Sequence, residues 1–216
     1  MDKTLHYLYD PLCGWCYGAM PAITELLGST EVSVELLPTG LFSGPGARTM
    51  DDEFAEYAWS NDQRIERLTG QGFSGRYRHQ VLADRQQLFD SGPATLALTA
   101  VSLTAPAREL EVLKAIQHSR YIEGRDVTAL STLSGLLEAL GLDEVAAMLT
   151  LPDKALFAAN HSRIARAQEL MQTFGARGVP TLIAEAGAKR WMMNSSDAYS
   201  NPQALLDQLQ AASVTH

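Results

Sequence analysis

The sequence predicts an α/β fold in which an α-helical insertion interrupts one β-sheet. Residues 5–36 follow a strand–helix–strand pattern, and residues 175–209 give two further strands and a last helix after a long stretch of helical periodicity. A chain of 216 residues is long enough to bury one large core. We expect a discontinuous sheet domain at residues 1–42 and 161–216, with the helical insertion at residues 43–160.

The first forty residues place the only two cysteines of the chain. Residues 5–9 are aromatic and aliphatic and stop at Asp10-Pro11, which predicts a strand and a turn. Apolar residues then recur at helical spacing from Cys16 to Gly28, and residues 32–36 alternate like a second strand. The cysteines therefore lie at a strand-to-helix junction, where ligands usually bind in open α/β sheets.

The middle of the chain is predicted to be helical. Residues 39–46 are rich in glycine and proline and indicate a linker, and no strand is expected between residues 43 and 175. A helix is predicted between Asp51 and Gly70. Further helical patterns cover residues 93–103, 108–120, 127–140, 142–149 and 154–174.

The C-terminal part returns to strands. Gly178-Val179-Pro180 leads into a strand at residues 181–184, and residues 189–193 form its expected hairpin partner. A last helix is predicted from Pro202, with Asn201 as its cap. The order of elements is that of a thioredoxin-like sheet split by a helical insertion.

Charge and hydropathy exclude several classes of partner. The net charge of −8 disfavours nucleic acid and anionic membranes, and no stretch is apolar enough to span a bilayer. The N-terminal residues carry neither a basic segment nor a cleavage site, so we expect a cytoplasmic protein. In that reducing compartment, a C-x-x-C pair is more often catalytic or metal-binding than structural.

Cys13-Gly14-Trp15-Cys16 has the spacing of a reversible thiol–disulfide pair. A helix N-terminus favours a thiolate over a thiol, which makes Cys13 the candidate nucleophile. Cys16 follows one turn deeper as the resolving thiol. Gly14 permits close approach of a substrate, and Trp15 supplies an apolar surface beside the sulfur.

Two other interpretations of the cysteines are weaker. A structural zinc site needs four ligands, and the five histidines are scattered with no two at ligand spacing. No metal site is therefore expected. If the two were ordinary buried cysteines, nothing would require them to lie at a strand-to-helix junction, so this interpretation leaves their position unexplained.

Val179-Pro180 is the second candidate element. On its own, Pro180 could simply begin a strand in the trans form. Beside a C-x-x-C junction, a cis peptide is favoured instead. It would leave the backbone of Val179 free to pair with an extended substrate and would set the proline ring against the cysteines.

Together with the helical insertion, several motifs resemble the DsbA family of thiol-disulfide oxidoreductases. The closest likeness is to its cytoplasmic FrnE-like and 2-hydroxychromene-2-carboxylate isomerase-like branch. The motifs are residues 9–16 (Tyr-Asp-Pro-Leu-Cys-Gly-Trp-Cys), 178–181 (Gly-Val-Pro-Thr) and 121–126 (Tyr-Ile-Glu-Gly-Arg-Asp). The resemblance covers nearly the whole chain. It implies that Cys13 attacks, that Cys16 is its partner, that Pro180 is a cis-proline and that the insertion covers one side of the substrate groove.

The chain departs from the family at two places. The dipeptide between the cysteines is Gly-Trp instead of the Pro-His of strongly oxidising members, so their redox poise cannot be transferred. The strand residue six before Cys13, often acidic in thioredoxin-like proteins, is Tyr7. Asp10 is the nearest carboxylate, and we interpret it as a residue that shapes the turn.

Other conspicuous residues receive structural interpretations. Phe54, Tyr57 and Trp59 are at helical spacing and are interpreted as core. Residues 76–79 (Arg-Tyr-Arg-His) are interpreted as a solvated loop.

We predict a thiol-disulfide oxidoreductase that acts on protein or small-molecule thiols and disulfides and needs no cofactor beyond glutathione as a co-substrate. One alternative is a glutathione-dependent isomerase or transferase of the same fold, although its relatives usually carry serine in place of Cys13. The other is a binding module whose cysteine pair senses redox state without turnover. The sequence leaves the direction of the reaction, the substrate and the oligomeric state open.

Overall fold

The computed structural model describes residues 3–28 and 32–211. The strands of its main sheet are β1 (Lys3–Tyr9), β2 (Val32–Pro38), β5 (Thr181–Ala186) and β6 (Lys189–Met192). Their order in the sheet is β2-β1-β5-β6. β1 pairs in parallel with β2 and antiparallel with β5, and β6 continues the sheet antiparallel to β5. Helix α1 (Gly14–Gly28) is the crossover between the two parallel strands.

Strand β1 is covered on both faces. Leu5, Tyr7 and Tyr9 alternate along the strand and belong to the large core cluster, each with no exposed surface. Leu8 belongs to a second cluster with Ala167 on the opposite face. Because both faces are packed, the position where β1 ends and the cysteines begin is firmly fixed.

A helical segment separates β2 from β5. Its helices are α2 (Asp52–Thr69), α3 (Gly92–Thr104), α4 (Glu109–Tyr121), α5 (Leu130–Ala139), α6 (Asp143–Thr150) and α7 (Lys154–Phe174). Two more, α8 (Asp197–Ser200) and α9 (Pro202–Ala211), follow the sheet.

Helix α7 connects the helical segment to the sheet. In its N-terminal half, Asn160 accepts a hydrogen bond from Thr99 of α3 at 2.8 Å. In its C-terminal half, Ala167 and Leu170 pack with Leu8 of the sheet. The helix therefore runs through residues 160/161, the predicted domain boundary, and the division into two domains stays a prediction.

The predicted limits of the two longest helices are confirmed. The side chains of Asp51 and Asp153 each accept a hydrogen bond from the backbone N–H three residues later, at 2.7 and 2.8 Å. At the other ends, Gly70 and Gly175 adopt φ values of +73° and +64°, the left-handed conformation that favours glycine.

Helix α1 contains a proline, and a side chain just after α2 compensates for the missing hydrogen bond. Pro21 has no N–H, so it cannot bond the carbonyl of Tyr17 four residues earlier. Gln71, just after α2, donates its Nε2 to that carbonyl oxygen at 3.3 Å. The contact fastens α1, which contains Cys16 and begins just after Cys13, to the helical segment.

Two details of the middle region differ from the sequence prediction. Short strands β3 (Arg48–Thr49) and β4 (Leu88–Phe89) pair antiparallel, so the expectation of no strand between residues 43 and 175 is wrong. Two residues are too few to produce a periodicity. The prediction of a solvated loop at residues 76–79 is also wrong. Residues 77–79 belong to a helical turn (Tyr77–Val81), and Tyr77 is only 2% exposed.

Among the described helices, none combines the length and the apolar character that a membrane crossing requires.

A buried histidine joins three strands of the sheet. His6 of β1 is 3% exposed, and its Nδ1 lies 2.7 Å from Glu35 of β2 while its Nε2 lies 3.0 Å from Glu185 of β5. The hydrogen bond to Glu35, opposed by burial and supported by Glu185, raises the pKa of His6 above its ordinary 6.5. The pKa of Glu35 is lowered chiefly by His6, and that of Glu185 chiefly by Arg190 and then His6. The network is strongest when the histidine is charged.

We predict that His6→Gln destabilises the protein most between pH 4.5 and 6.5. Because the pKa of His6 is raised on folding, its contribution to stability is complete below pH 6.5 and is lost as the pH rises through the folded-state pKa. Because the pKa of Glu35 is lowered on folding, its contribution to stability is complete above pH 4.5. Urea unfolding of wild type and variant at pH 5.5 and pH 9 measures the difference. His161→Gln, on the exposed surface of α7, is the control. An equal destabilisation at both pH values would contradict the prediction.

Candidate active site

The turn that precedes Cys13 is organised by a buried carboxylate. Asp10 has no exposed surface, and its Oδ1 accepts the N–H of Leu12 at 2.9 Å. Its Oδ2 accepts the N–H of Phe42 at 3.1 Å and the hydroxyl of Ser91 at 2.7 Å. Burial raises the pKa of Asp10, and these hydrogen bonds oppose the rise. The interpretation of Asp10 as a turn residue is confirmed, and the structure adds that it also binds the helical segment.

Cys13 stands immediately before the first residue of α1. Its N–H donates to the carbonyl of Asp10 at 3.1 Å, and its own carbonyl accepts the N–H of Tyr17 at 3.0 Å. The side chain is 7% exposed. Its Sγ lies 3.7 Å from the carbonyl oxygen of Val179, which it approaches as a donor. The attacking sulfur predicted from the sequence is thus placed at a helix N-terminus and beside the second candidate element.

Cys16 lies below Cys13 in the core. It has no exposed surface, and both cysteines are free thiols. Burial, and then the hydrogen bond and the charge of Cys13, raise the pKa of Cys16 well above its ordinary value. The hydroxyl of Tyr7 donates to the carbonyl of Cys16 at 3.1 Å. Cys16 is therefore held as a protonated, inaccessible thiol while Cys13 is the reachable sulfur of the pair.

The remaining predicted site residues lie around the two sulfurs. The Val179–Pro180 peptide is cis, and Pro180 is buried. Trp15 packs edge-to-face on Tyr199 with ring centroids 5.0 Å apart, and the guanidinium of Arg64 lies 5.6 Å from the centre of its ring. The Trp15 side chain is thus held between Tyr199 of α8 and Arg64 of α2.

A cavity of about 130 Å³ opens beside Cys13. Most of its wall is aromatic or aliphatic and comes from the helical segment. Tyr57 lines it and is 65% exposed, so its interpretation as a core residue is wrong. Phe54 and Trp59 are half-buried and pack against the core cluster, as predicted, although Phe54 also lines the cavity. Helical spacing identifies a shared face but does not tell whether that face meets the core or a cavity.

The cavity wall contains a buried carboxyl, Asp62, that the sequence did not point to. Asp62 of α2 is 4% exposed, and its Oδ2 accepts the hydroxyl of Tyr77 at 3.0 Å. The guanidinium of Arg120, from α4, lies over the rings of Tyr77, Phe89 and Tyr121 at 5.2 to 5.8 Å from their centres. Burial raises the pKa of Asp62 to about 7, although the Tyr77 hydrogen bond and the Arg120 charge oppose it. No sequence signal joins these residues, because the contacts are tertiary.

Residues 3–28 and 32–211 contain no cluster of three or more histidine, cysteine, aspartate or glutamate side chains arranged to hold a metal ion.

Comparison with known proteins identifies the family. A family model described as a DSBA-like thioredoxin domain matches residues 4–207, and the chain belongs to this family. The solved structure of the cytosolic disulfide reductase DsbM from Pseudomonas aeruginosa is 31% identical, with a TM-score of 0.86 over 97% of this chain and 99% of that one. The structure of the same reductase with GSH (glutathione) is 29% identical, with a TM-score of 0.82 over 98% and 100%.

A 2-hydroxychromene-2-carboxylate isomerase shares the fold, with 15% identity and a TM-score of 0.65 over 99% of this chain and 100% of that one. No curated protein matches the chain. The predicted thioredoxin-like fold with a helical insertion, and the predicted class of thiol-disulfide oxidoreductase, are confirmed.

We predict that Gly14→Ala destabilises the protein by about 1–3 kcal/mol, because an added methyl group overfills a packed site. Its Cβ would lie 2.5 Å from Asp62 Oδ1 and 3.3 Å from Ile65 Cδ1. Gly28→Ala, at the other end of the same helix, meets nothing within 4 Å and is the control. Urea unfolding of both variants is the measurement, and equal stability of the two would contradict the packing described.

Proposed function

We propose that this DsbA-like protein is a cytoplasmic disulfide reductase that uses glutathione as its co-substrate. The observation that carries the proposal is the asymmetry of the cysteine pair: Cys13 lines a cavity and keeps 7% of its surface exposed, whereas Cys16 has no exposed surface. The DsbM relative supports the direction and the compartment, since it is a cytosolic disulfide reductase and has been solved with GSH.

The exchange proceeds in two displacements on sulfur. The thiolate of Cys13 attacks one sulfur of the substrate disulfide and forms a mixed disulfide. Cys16 then attacks the sulfur of Cys13, releases the second substrate thiol and closes the Cys13–Cys16 disulfide. The two electrons reside on sulfur throughout, so the protein itself needs no metal or organic cofactor. Glutathione reduces the pair again.

The cavity favours a small group beside the reacting bond. Its volume of about 130 Å³ is well below the roughly 300–1,000 Å³ of pockets that enclose a whole drug-sized ligand. One side chain of a peptide fits it, while the rest of the substrate extends past Val179. A cysteine-containing tripeptide such as glutathione can place one side chain in the cavity and extend the rest of its chain past Val179.

The first test compares Cys13→Ser and Cys16→Ser. We expect Cys13→Ser to lower disulfide reduction by glutathione to the rate of the buffer control, because Cys16 is sealed from solvent. Cys16→Ser retains the attacking sulfur but lacks the resolving one, so with oxidised glutathione it releases one glutathione and accumulates a mixed disulfide of Cys13 with a single glutathionyl group. Intact mass spectrometry before and after reduction detects that adduct. Normal turnover by Cys13→Ser, or a stable adduct on Cys16 in the Cys13→Ser variant, would contradict the proposal.

A further inference from the structure

Asp62 is a buried carboxyl that the exchange written above does not use. It reaches from α2 across to the cysteine motif, where its Oδ1 lies 2.5 Å from the position of a Cβ on Gly14. It lines the same cavity as Cys13. The carboxyl therefore occupies the space that a side chain at position 14, the residue after Cys13, would fill.

The two oxygens of this carboxyl have different surroundings. Oδ2 accepts the hydroxyl of Tyr77 at 3.0 Å. Within the described ranges, no hydrogen bond to Oδ1 is found, and Oδ1 is the atom against Gly14. Tyr77 thus holds the carboxyl by one oxygen and leaves the other available to a group in the cavity.

The charged and titratable groups around Asp62 come from three elements. Tyr77 contacts it from the helical turn, Arg120 and Tyr121 interact with it from α4, and Cys13 shares the cavity wall at the start of α1. Burial outweighs the hydrogen bond from Tyr77 and the charge of Arg120, and it raises the pKa of Asp62 to about 7. Both protonation states of Asp62 are therefore populated near neutral pH.

Asp10 is the other buried carboxyl near the cysteines, and it is already occupied. Both of its oxygens accept hydrogen bonds, from the backbone of Leu12 and Phe42 and from the hydroxyl of Ser91. At the strand position six before Cys13 stands Tyr7, whose hydroxyl donates to the carbonyl of Cys16. Asp62 is the carboxyl in this region that combines burial, contact with the motif and an available oxygen.

We propose, on the basis of the reductase function proposed above, that Asp62 donates a proton to the substrate sulfur that leaves when Cys13 attacks. The Cys13 thiolate forms a bond to one sulfur of the disulfide, and the electron pair of the broken S–S bond passes to the other sulfur. The O–H of Asp62 gives its proton to that sulfur. The products are a mixed disulfide, a neutral thiol and the Asp62 carboxylate, which regains a proton from solvent.

This role depends on how basic the leaving sulfur is. An alkyl thiolate such as that of glutathione needs a proton to leave as a stable thiol near neutral pH, since free thiols have a pKa of about 8.5. The aromatic thiolate released from dithiobis-nitrobenzoate is a far better leaving group and departs without a proton. Loss of the acid should therefore slow the first substrate and spare the second.

The experiment measures mixed-disulfide formation in the Cys16→Ser background, with and without Asp62→Asn, near pH 6.5. The amide that replaces the carboxyl still accepts from Tyr77 but cannot act as an acid. We expect Asp62→Asn to slow the reaction with oxidised glutathione by roughly 10²-fold, the usual contribution of a general acid, and to change the reaction with dithiobis-nitrobenzoate by less than about threefold. Glu56→Gln, which removes one exposed carboxylate from the same helix, should change neither rate.

The outcomes separate the two proposals. If the Cys16→Ser protein with Asp62 intact reacts with neither disulfide, the proposed function fails. If it reacts with both, and Asp62→Asn slows both equally or slows neither, the function stands and the role of Asp62 is overturned. Circular dichroism and urea unfolding of Asp62→Asn check that the comparison is made on folded protein.

Discussion

The carboxylate of Asp10 is the contact on which the arrangement of the site depends. It accepts hydrogen bonds from the turn before Cys13, from the segment after β2 and from the residue before α3. Asp10 is fully buried. Breaking any one of these hydrogen bonds would therefore lower the free energy of unfolding by about 1–3 kcal/mol. One side chain therefore sets the start of α1 and holds the helical segment over it. The cysteine pair and its cavity come together at that point.

The chemistry follows from a difference in depth between the two cysteines. Three residues along a helix are slightly less than one turn, so Cys16 enters the core while Cys13 remains at the helix start. Tyr7 donates a hydrogen bond to the carbonyl of Cys16, and the helical segment supplies most of the wall of the cavity beside Cys13. The insertion thus determines what can approach Cys13, whereas the sheet and α1 provide the sulfurs.

Local features of the sequence were sufficient for most of the framework. The helix limits at Asp51, Gly70 and Gly175 follow from capping side chains and left-handed glycines, which act within a few residues. The cysteine junction was predictable for the same reason. The cavity was not, because it is formed by contacts between distant helices. Asp62 and Tyr77 are brought together only by the fold, and the short pair β3 and β4 leaves no periodic signal.

The central claim is that Cys13 is the accessible sulfur and Cys16 a sealed, protonated partner. Time-resolved alkylation of the reduced, folded protein with iodoacetamide, read residue by residue by peptide mass spectrometry, tests it most directly. The account predicts that Cys13 is modified while Cys16 stays unmodified until urea unfolds the protein. Modification of Cys16 in the folded protein at the same rate as Cys13 would contradict it.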